Sequence, residues 1–234
     1  MRRRFEGPAA ARAAIVEAAW ALFASDGYDA TTVQAIIDRV GFSKGGFYHH
    51  FSSKEEVLDA VVRHMHEHGR GALQPVLDAP VGALEKLVRF MGAAREWRFS
   101  NLDLVLEVVL VLAREENAVV RHKLDHLTLE EGLPILAAIV GQGVDEGVFH
   151  VDDPDGAAEA ILLLSFGIAD RQAHAIAEMH AGTGGAEAVL RRINLFQDAT
   201  ERILGVGPGS LGRVGPEVVD RITSALARRN EPDR

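Results

Sequence analysis

The chain has 234 residues, 47% hydrophobic and 25% charged, which is enough for one large domain or two small ones of ordinary globular composition. It contains no cysteine, so disulfides, thiolate metal sites and cysteine redox sensing are excluded. The formal net charge is −9, and all of it falls beyond residue 70: the first 70 residues balance their acidic and basic side chains. A neutral first segment can meet a polyanion through local basic spots, while the acidic remainder keeps indiscriminate binding weak.

Helical patterning runs along nearly the whole chain, with no alternating strand signal, so the expected class is all-α. Gly7-Pro8 sets a proline in a first helical turn, and Gly27 is the expected stop of a helix over 8–26 whose apolar face is Ile15, Ala19, Leu22 and Phe23. Thr31 stands three residues before Gln34 and reads as a capping box opening a second helix, with Val33, Ile36, Ile37 and Val40 at helical spacing and Gly41 ending it. Ser43 is expected to cap a short third helix reaching His49 or His50, and Ser53 with Glu56 to open a fourth that runs to about His68. Longer helices are expected over 80–97, 101–116, 118–146, 153–179 and 187–204, with Pro134 kinking or splitting the third of these. A glycine-rich linker over 205–216 then leads to a terminal helix ending near Arg229.

No apolar run is read as a membrane span; the longest, 157–169, is interrupted by Glu159, Ser165 and Gly167. The opening "MRRRFEGPAA" has no apolar run behind its arginines, so no signal peptide is expected and the cytoplasm is the expected compartment. Enzyme motifs are missing. There is no phosphate-binding GxxxxGK[ST], "PGSLG" at 208–212 lacks the first glycine of GxSxG, and "GVGPGS" has no strand before it.

The stretch "GFSKGGFYHHF" (41–51) is unusual for a short helix, because glycine costs a helix interior about 1 kcal/mol. Two helices joined by a tight turn at Gly41 form a helix-turn-helix, whose second helix enters the DNA major groove. Glycine at 45 and 46 would let that helix approach DNA with no side chain in the way. Lys44, Tyr48, His49 and His50 are candidate donors to phosphates or bases, and the helix starts behind Ser43 and Ser53 point N–H groups at anions. Phe42, Phe47 and Phe51 are expected to face inward.

At these residues the chain resembles a known family. The segment from Ile15 to Val62, with its "GFSKGGFYHHF" helix and "SKEEVL" start of helix four, is similar to the DNA-binding domain of the tetracycline-repressor (TetR) family. The rest is similar in architecture alone. The resemblance implies a homodimer that binds a palindromic double-stranded DNA operator and is released by a small apolar effector. It implies phosphate contacts from Thr32, Ser43, Tyr48 and Lys54, base-facing positions at Lys44, Gly45, Gly46 and His49, and a near-terminal helix histidine at His50. Gly46 stands where the family usually has threonine, and His49 where arginine or another large residue is common, so the operator sequence is not implied. The expected division is a DNA-binding domain over 1–52, a helical ligand-binding and dimerisation domain over 53–205, and a linker with a C-terminal helix over 206–234. Arg2, Arg3 and Arg4 read as a charged tail or, alternatively, as a minor-groove arm.

Other features are open to more than one reading. His64 and His68 share a helical face at the spacing of a zinc pair, repeated by His122 and His126. The sequence places no carboxylate to complete either set, so no metal or other cofactor is expected; a pocket or pH role is kept for His64 and His68 because helix four couples the two domains in this family. Phe90, Met91, Trp97, Phe99 and Phe166 read as core, with some lining an apolar pocket. Asp170, Arg171 and His174 read as a dimer-interface ion pair or, alternatively, as a polar anchor inside a ligand pocket. The apolar helices over 155–179 and 187–204 are expected to form the dimer seam, with Leu162, Ile193 and Phe196 in it. The alternatives to a ligand-responsive regulator are a DNA-binding protein controlled by a partner rather than a ligand, and an all-helical enzyme.

Overall fold

The computed structural model describes residues 7–71 and 73–230. The arginines at positions 2–4 lie outside the described residues. Eleven α-helices follow in order: α1 (Pro8–Asp26), α2 (Val33–Val40), α3 (Lys44–Tyr48), α4 (Lys54–Gly71), α5 (Gln74–Leu77), α6 (Ala83–Ser100), α7 (Leu102–Leu112), α8 (Ala118–Asp145), α9 (Pro154–His180), α10 (Ala186–Leu204) and α11 (Glu217–Asn230). No strand occurs among the described residues.

The first apolar cluster joins α1, α2 and α3 to α4 and α7. Ile15, Ala19, Phe23, Ile36, Phe47 and Phe51 meet Val57, Leu58 and Val61 of α4 and Leu104, Val108 and Val111 of α7. A boundary at 52/53 therefore cuts the sequence but not the core, because α4 and α7 cover the open side of a unit too small to bury its own apolar face. A second cluster packs Leu87 of α6 and Leu136, Ile139 and Val140 of α8 on Ile161 and Leu204. A third places α11 on Leu106, Ala175, Ile176 and Val189.

The structure differs from several sequence expectations. Thr32, not Thr31, caps α2, accepting from the Ala35 N–H at 3.0 Å; Thr31 is buried and donates to the Gly27 carbonyl at 2.7 Å. α8 is one unbroken helix through Pro134, because its packing along α9 outweighs one lost hydrogen bond. Its 120–145 stretch is long and apolar enough to cross a membrane by length and composition alone. In the fold that helix supplies Leu136, Ile139 and Val140 to the second cluster, and its first half carries Arg121, His122, Lys123, Asp125 and Glu131.

The glycine-rich 205–216 segment is pinned rather than loose. Buried Glu201 accepts from the N–H groups of Gly209 and Leu211, both at 2.9 Å, and the Asn194 side chain bonds the N–H and carbonyl of Val214 at 3.0 and 3.1 Å. Those two side chains satisfy backbone groups that a helix or strand would otherwise satisfy.

Candidate nucleic-acid interface

The α2–turn–α3 unit is built by its caps. Gly41 takes the left-handed conformation, φ +79°, and its N–H closes α2 on the Ile37 carbonyl. Ser43 Oγ accepts from the Gly46 N–H at 3.1 Å and opens α3. Phe47 and Phe51 are fully buried and Phe42 half-buried, so the aromatic side of α3 is locked onto α1 and α4. The other side carries Lys44, Gly45, Tyr48 and His49, all exposed. Tyr48 is 48% exposed and braced edge-on against the Phe47 ring at 5.4 Å. An exposed aromatic on a rigid base next to a lysine and a side-chain-free backbone suits a groove of stacked bases and phosphates.

The two glycines differ. A Cβ at Gly45 would meet nothing within 4 Å, whereas one at Gly46 would lie 3.3 Å from Ser43 Oγ and 3.9 Å from the Phe42 ring. Gly45 is the open position, and Gly46 is turned toward the cap.

His50 is half-buried and stacked on Phe42 at 6.2 Å. Burial first, then the neighbouring His49 and Arg12, hold its pKa below the usual histidine value. Thr32 and Ser43 both use their oxygens to accept cap bonds, leaving their hydroxyl protons to donate outward.

Lys54 has partners within the chain. Its ammonium donates to the carbonyls of Tyr28 at 2.9 Å and Thr31 at 3.1 Å and sits 4.2 Å from the Tyr28 ring centroid. Its first duty is to tie the start of α4 to the α1–α2 loop, with one N–H left for a phosphate. Lys54→Met is therefore expected to lower the melting temperature as well as DNA affinity. A variant that melts like the parent would show that the two carbonyl bonds add nothing.

Arg12 was not anticipated from the sequence. It lies on α1 with its guanidinium 4.6 Å from the Phe51 centroid, beside the same edge of the unit as His50. Glu107 was also missed, although a lone glutamate in "NLDLVLEVVLVL" must be buried if that helix is. The residue is buried, and its carboxylate accepts the Tyr28 N–H and pairs with Arg229 of α11. Arg114 adds a two-pronged bond to Asp29 at 2.9 and 2.6 Å, which with the guanidinium charge holds the Asp29 carboxyl below its usual range. The loop before α2 is thus held from behind by α7.

The expected pocket residues do not converge. Phe90 and Met91 border the second cluster, while Phe99 borders the third and carries Arg221 over its ring at 3.9 Å. Trp97 lies against the Gly69 backbone, Phe166 is half-buried on α9, and His174 is exposed with Nδ1 bonded to the Asp170 carbonyl at 2.8 Å. Helical spacing identified apolar faces, but not which of the separate clusters each face would join. A half-open cleft of about 300 Å³ lies instead between α4 and α8, lined by Val62, Val120, Leu124 and Leu127 and rimmed by Asp59, Arg63, His122, Lys123, His126 and Glu130. His64 and His68 stand outside it, on the α1 side of α4, with Trp20 and Glu17.

The residues expected in a seam pack within the chain. Leu162 and Phe196 border the second cluster and Ile193 the third, whereas Leu163 and Leu195, one position on or one before, are 51% and 49% exposed. Asp170 faces Arg121 of its own chain at 3.6 Å, and Arg171 is exposed.

Residues 15–61 match the family of bacterial regulatory proteins described as the tetR family. The HTH-type transcriptional repressor KstR2 of Mycolicibacterium smegmatis is 38% identical over 89 residues, 38% of this chain and 43% of the relative. The chain thus matches less than half the length of that relative. KstR2 of Rhodococcus jostii is 29% identical over 149 residues, 62% of this chain and 71% of the relative. A solved TetR/AcrR-family regulator from Thermobifida fusca shares the fold at a TM-score of 0.53 and 23% identity, over 94% of this chain and 98% of the other.

Proposed function

We propose that the chain, whose residues 15–61 match the tetR family of bacterial regulatory proteins, is a DNA-binding transcription regulator that represses its targets as a homodimer on a palindromic operator and releases it on binding a small apolar effector. The observation that carries this reading is the exposed Lys44–Gly45–Tyr48–His49 face of α3, set on a rigid aromatic base. One such helix reads a half-site, and two related by a dimer axis read an inverted repeat with half-sites about 34 Å apart.

Leu163 on α9 and Leu195 on α10 support the dimer. Ala160, Leu163, Gly167, Arg171 and His174 form an exposed stripe at helical spacing, small or apolar in its first half. A second copy of the same pair would cover it in a four-helix arrangement. An apolar effector is supported by the fringe of the second cluster, where Phe90, Met91, Leu133, Leu162 and Phe196 remain half-buried.

The test combines sedimentation with operator titration. The parent chain is expected to sediment as a dimer at micromolar concentration, and Leu163→Glu with Leu195→Glu as a monomer that binds a full operator more weakly than the parent. A parent chain that sediments as a monomer would remove the dimer from the proposal. A small apolar effector should weaken operator binding at saturating dose. A full screen without effect would favour control by a partner protein.

A further inference from the structure

We propose that Glu17 of α1 and His64 and His68 of α4 form a binding site for a divalent transition-metal ion of the zinc class, distinct from the apolar-effector site. The two imidazoles lie one helical turn apart on α4, which places both on one face. The fold brings the missing third ligand from 47 residues away: His64 Nε2 and Glu17 Oε1 are 2.7 Å apart. The His64 and His68 rings are edge to face with centroids 4.3 Å apart. One ligand atom from each of the three residues lies within 4.8 Å of the others. Around a tetrahedral ion with bonds of about 2.0–2.1 Å, ligand atoms stand roughly 3.3 Å apart. Small side-chain rotations therefore close the set, with no backbone movement.

The donor set selects the ion. Two imidazoles and one carboxylate are borderline ligands that suit zinc, cobalt or nickel, whereas calcium and magnesium need more oxygens. The Glu17 side chain is 60% exposed and that of His64 22% exposed, so water can fill a fourth position. Trp20 walls the inner side, with its ring 5.2 Å from His64 and 5.5 Å from His68. Position gives the site a consequence. Glu17 lies on a helix of the DNA-binding unit, and His64 and His68 lie on the half of α4 that leads away from it. An ion held by all three is a cross-link that sets the angle between α1 and α4, and with it the presentation of α3.

The experiment uses the full chain, stripped of metal with a chelator and carrying Trp97→Phe so that Trp20 is the reporting tryptophan. Cobalt(II) is the probe and zinc(II) the competitor. The expected result is saturable quenching of Trp20 with one ion per chain, cobalt absorption bands in the visible, and their displacement by zinc. Glu17→Gln and His68→Ala, both at exposed positions, are each expected to weaken cobalt binding at least about tenfold. His64→Ala should do the same. His122→Ala with His126→Ala should leave it unchanged. Zinc should raise the melting temperature of the parent and not of Glu17→Gln. The proposal is overturned by the absence of saturable binding at micromolar cobalt, by binding that survives all three substitutions, or by binding that is lost with His122 and His126.

Discussion

Gly45→Val is expected to abolish specific operator binding and to leave the melting temperature near that of the parent. The position is exposed, and a Cβ there would meet nothing within the chain. Valine also forms helices better than glycine, so the short α3 should hold or stiffen. The added branch would stand between Lys44 and Tyr48, on the face proposed to meet DNA. The helix would back out of the groove, and the contacts of Lys44, Tyr48 and His49 would lengthen together. Losing two such contacts at about 1–3 kcal/mol each reduces specific affinity by at least tenfold. Gly46→Ala is the informative companion. Its methyl would press on Ser43 Oγ at 3.3 Å, so its effect should appear first in the cap and the melt. Gel-shift or anisotropy titration on operator and scrambled DNA, beside a thermal melt, separates the two. If Gly45→Val binds operator like the parent, the outward face of α3 is not the DNA face.

The N-terminal unit was legible in the sequence because its signals are local. Gly27 and Gly41 stop helices, Ser43 and Ser53 cap them, and Phe47 and Phe51 repeat at helical spacing. Each is decided by neighbours within a few residues. The capping box at Thr31 slipped by one residue because adjacent threonines offer the same chemistry, and the Gly27 carbonyl was the partner that separated them. What failed to show was long-range. Periodicity marks Phe90 and Phe99 as apolar faces but does not say that one joins α8 and the other α11. The same limit hid Glu17 from His64, and Lys54 from the carbonyls of Tyr28 and Thr31. In each case a polar side chain found its partner only after α1, α4 and the α1–α2 loop had packed.

Glu107→Ala is expected to cost about 3 kcal/mol of stability, the low end for breaking a buried ion pair by removing one partner. The carboxylate side chain is 10% exposed and that of Arg229 is 17% exposed, so neither charge is well solvated. Alanine would strand the guanidinium, which would keep the Asp103 carbonyl at 3.0 Å, and would remove the carboxylate bond to the Tyr28 N–H. A lost hydrogen bond to a charged group adds about 1.5–3 kcal/mol; the exposed edge of Arg229 offsets part of the total by drawing in water. In a chain of this size each kcal/mol corresponds to about 2–4 °C, so the melt should fall by roughly 6–12 °C. Glu107→Gln should cost less, because its amide oxygen can still accept from Tyr28. Arg229→Leu together with Glu107→Leu should recover part of the loss, since two apolar side chains leave no stranded charge. Operator affinity should track the loop rather than global stability. Tyr28 also supplies a carbonyl to Lys54, so loosening it frees the start of α4 and the turn behind α3. Urea unfolding of the parent and these three variants measures the ladder. A Glu107→Ala protein within about 0.5 kcal/mol of the parent, the spread of ordinary surface substitutions, would mean that the pair is solvated and that α11 does not brace the DNA-binding unit through it.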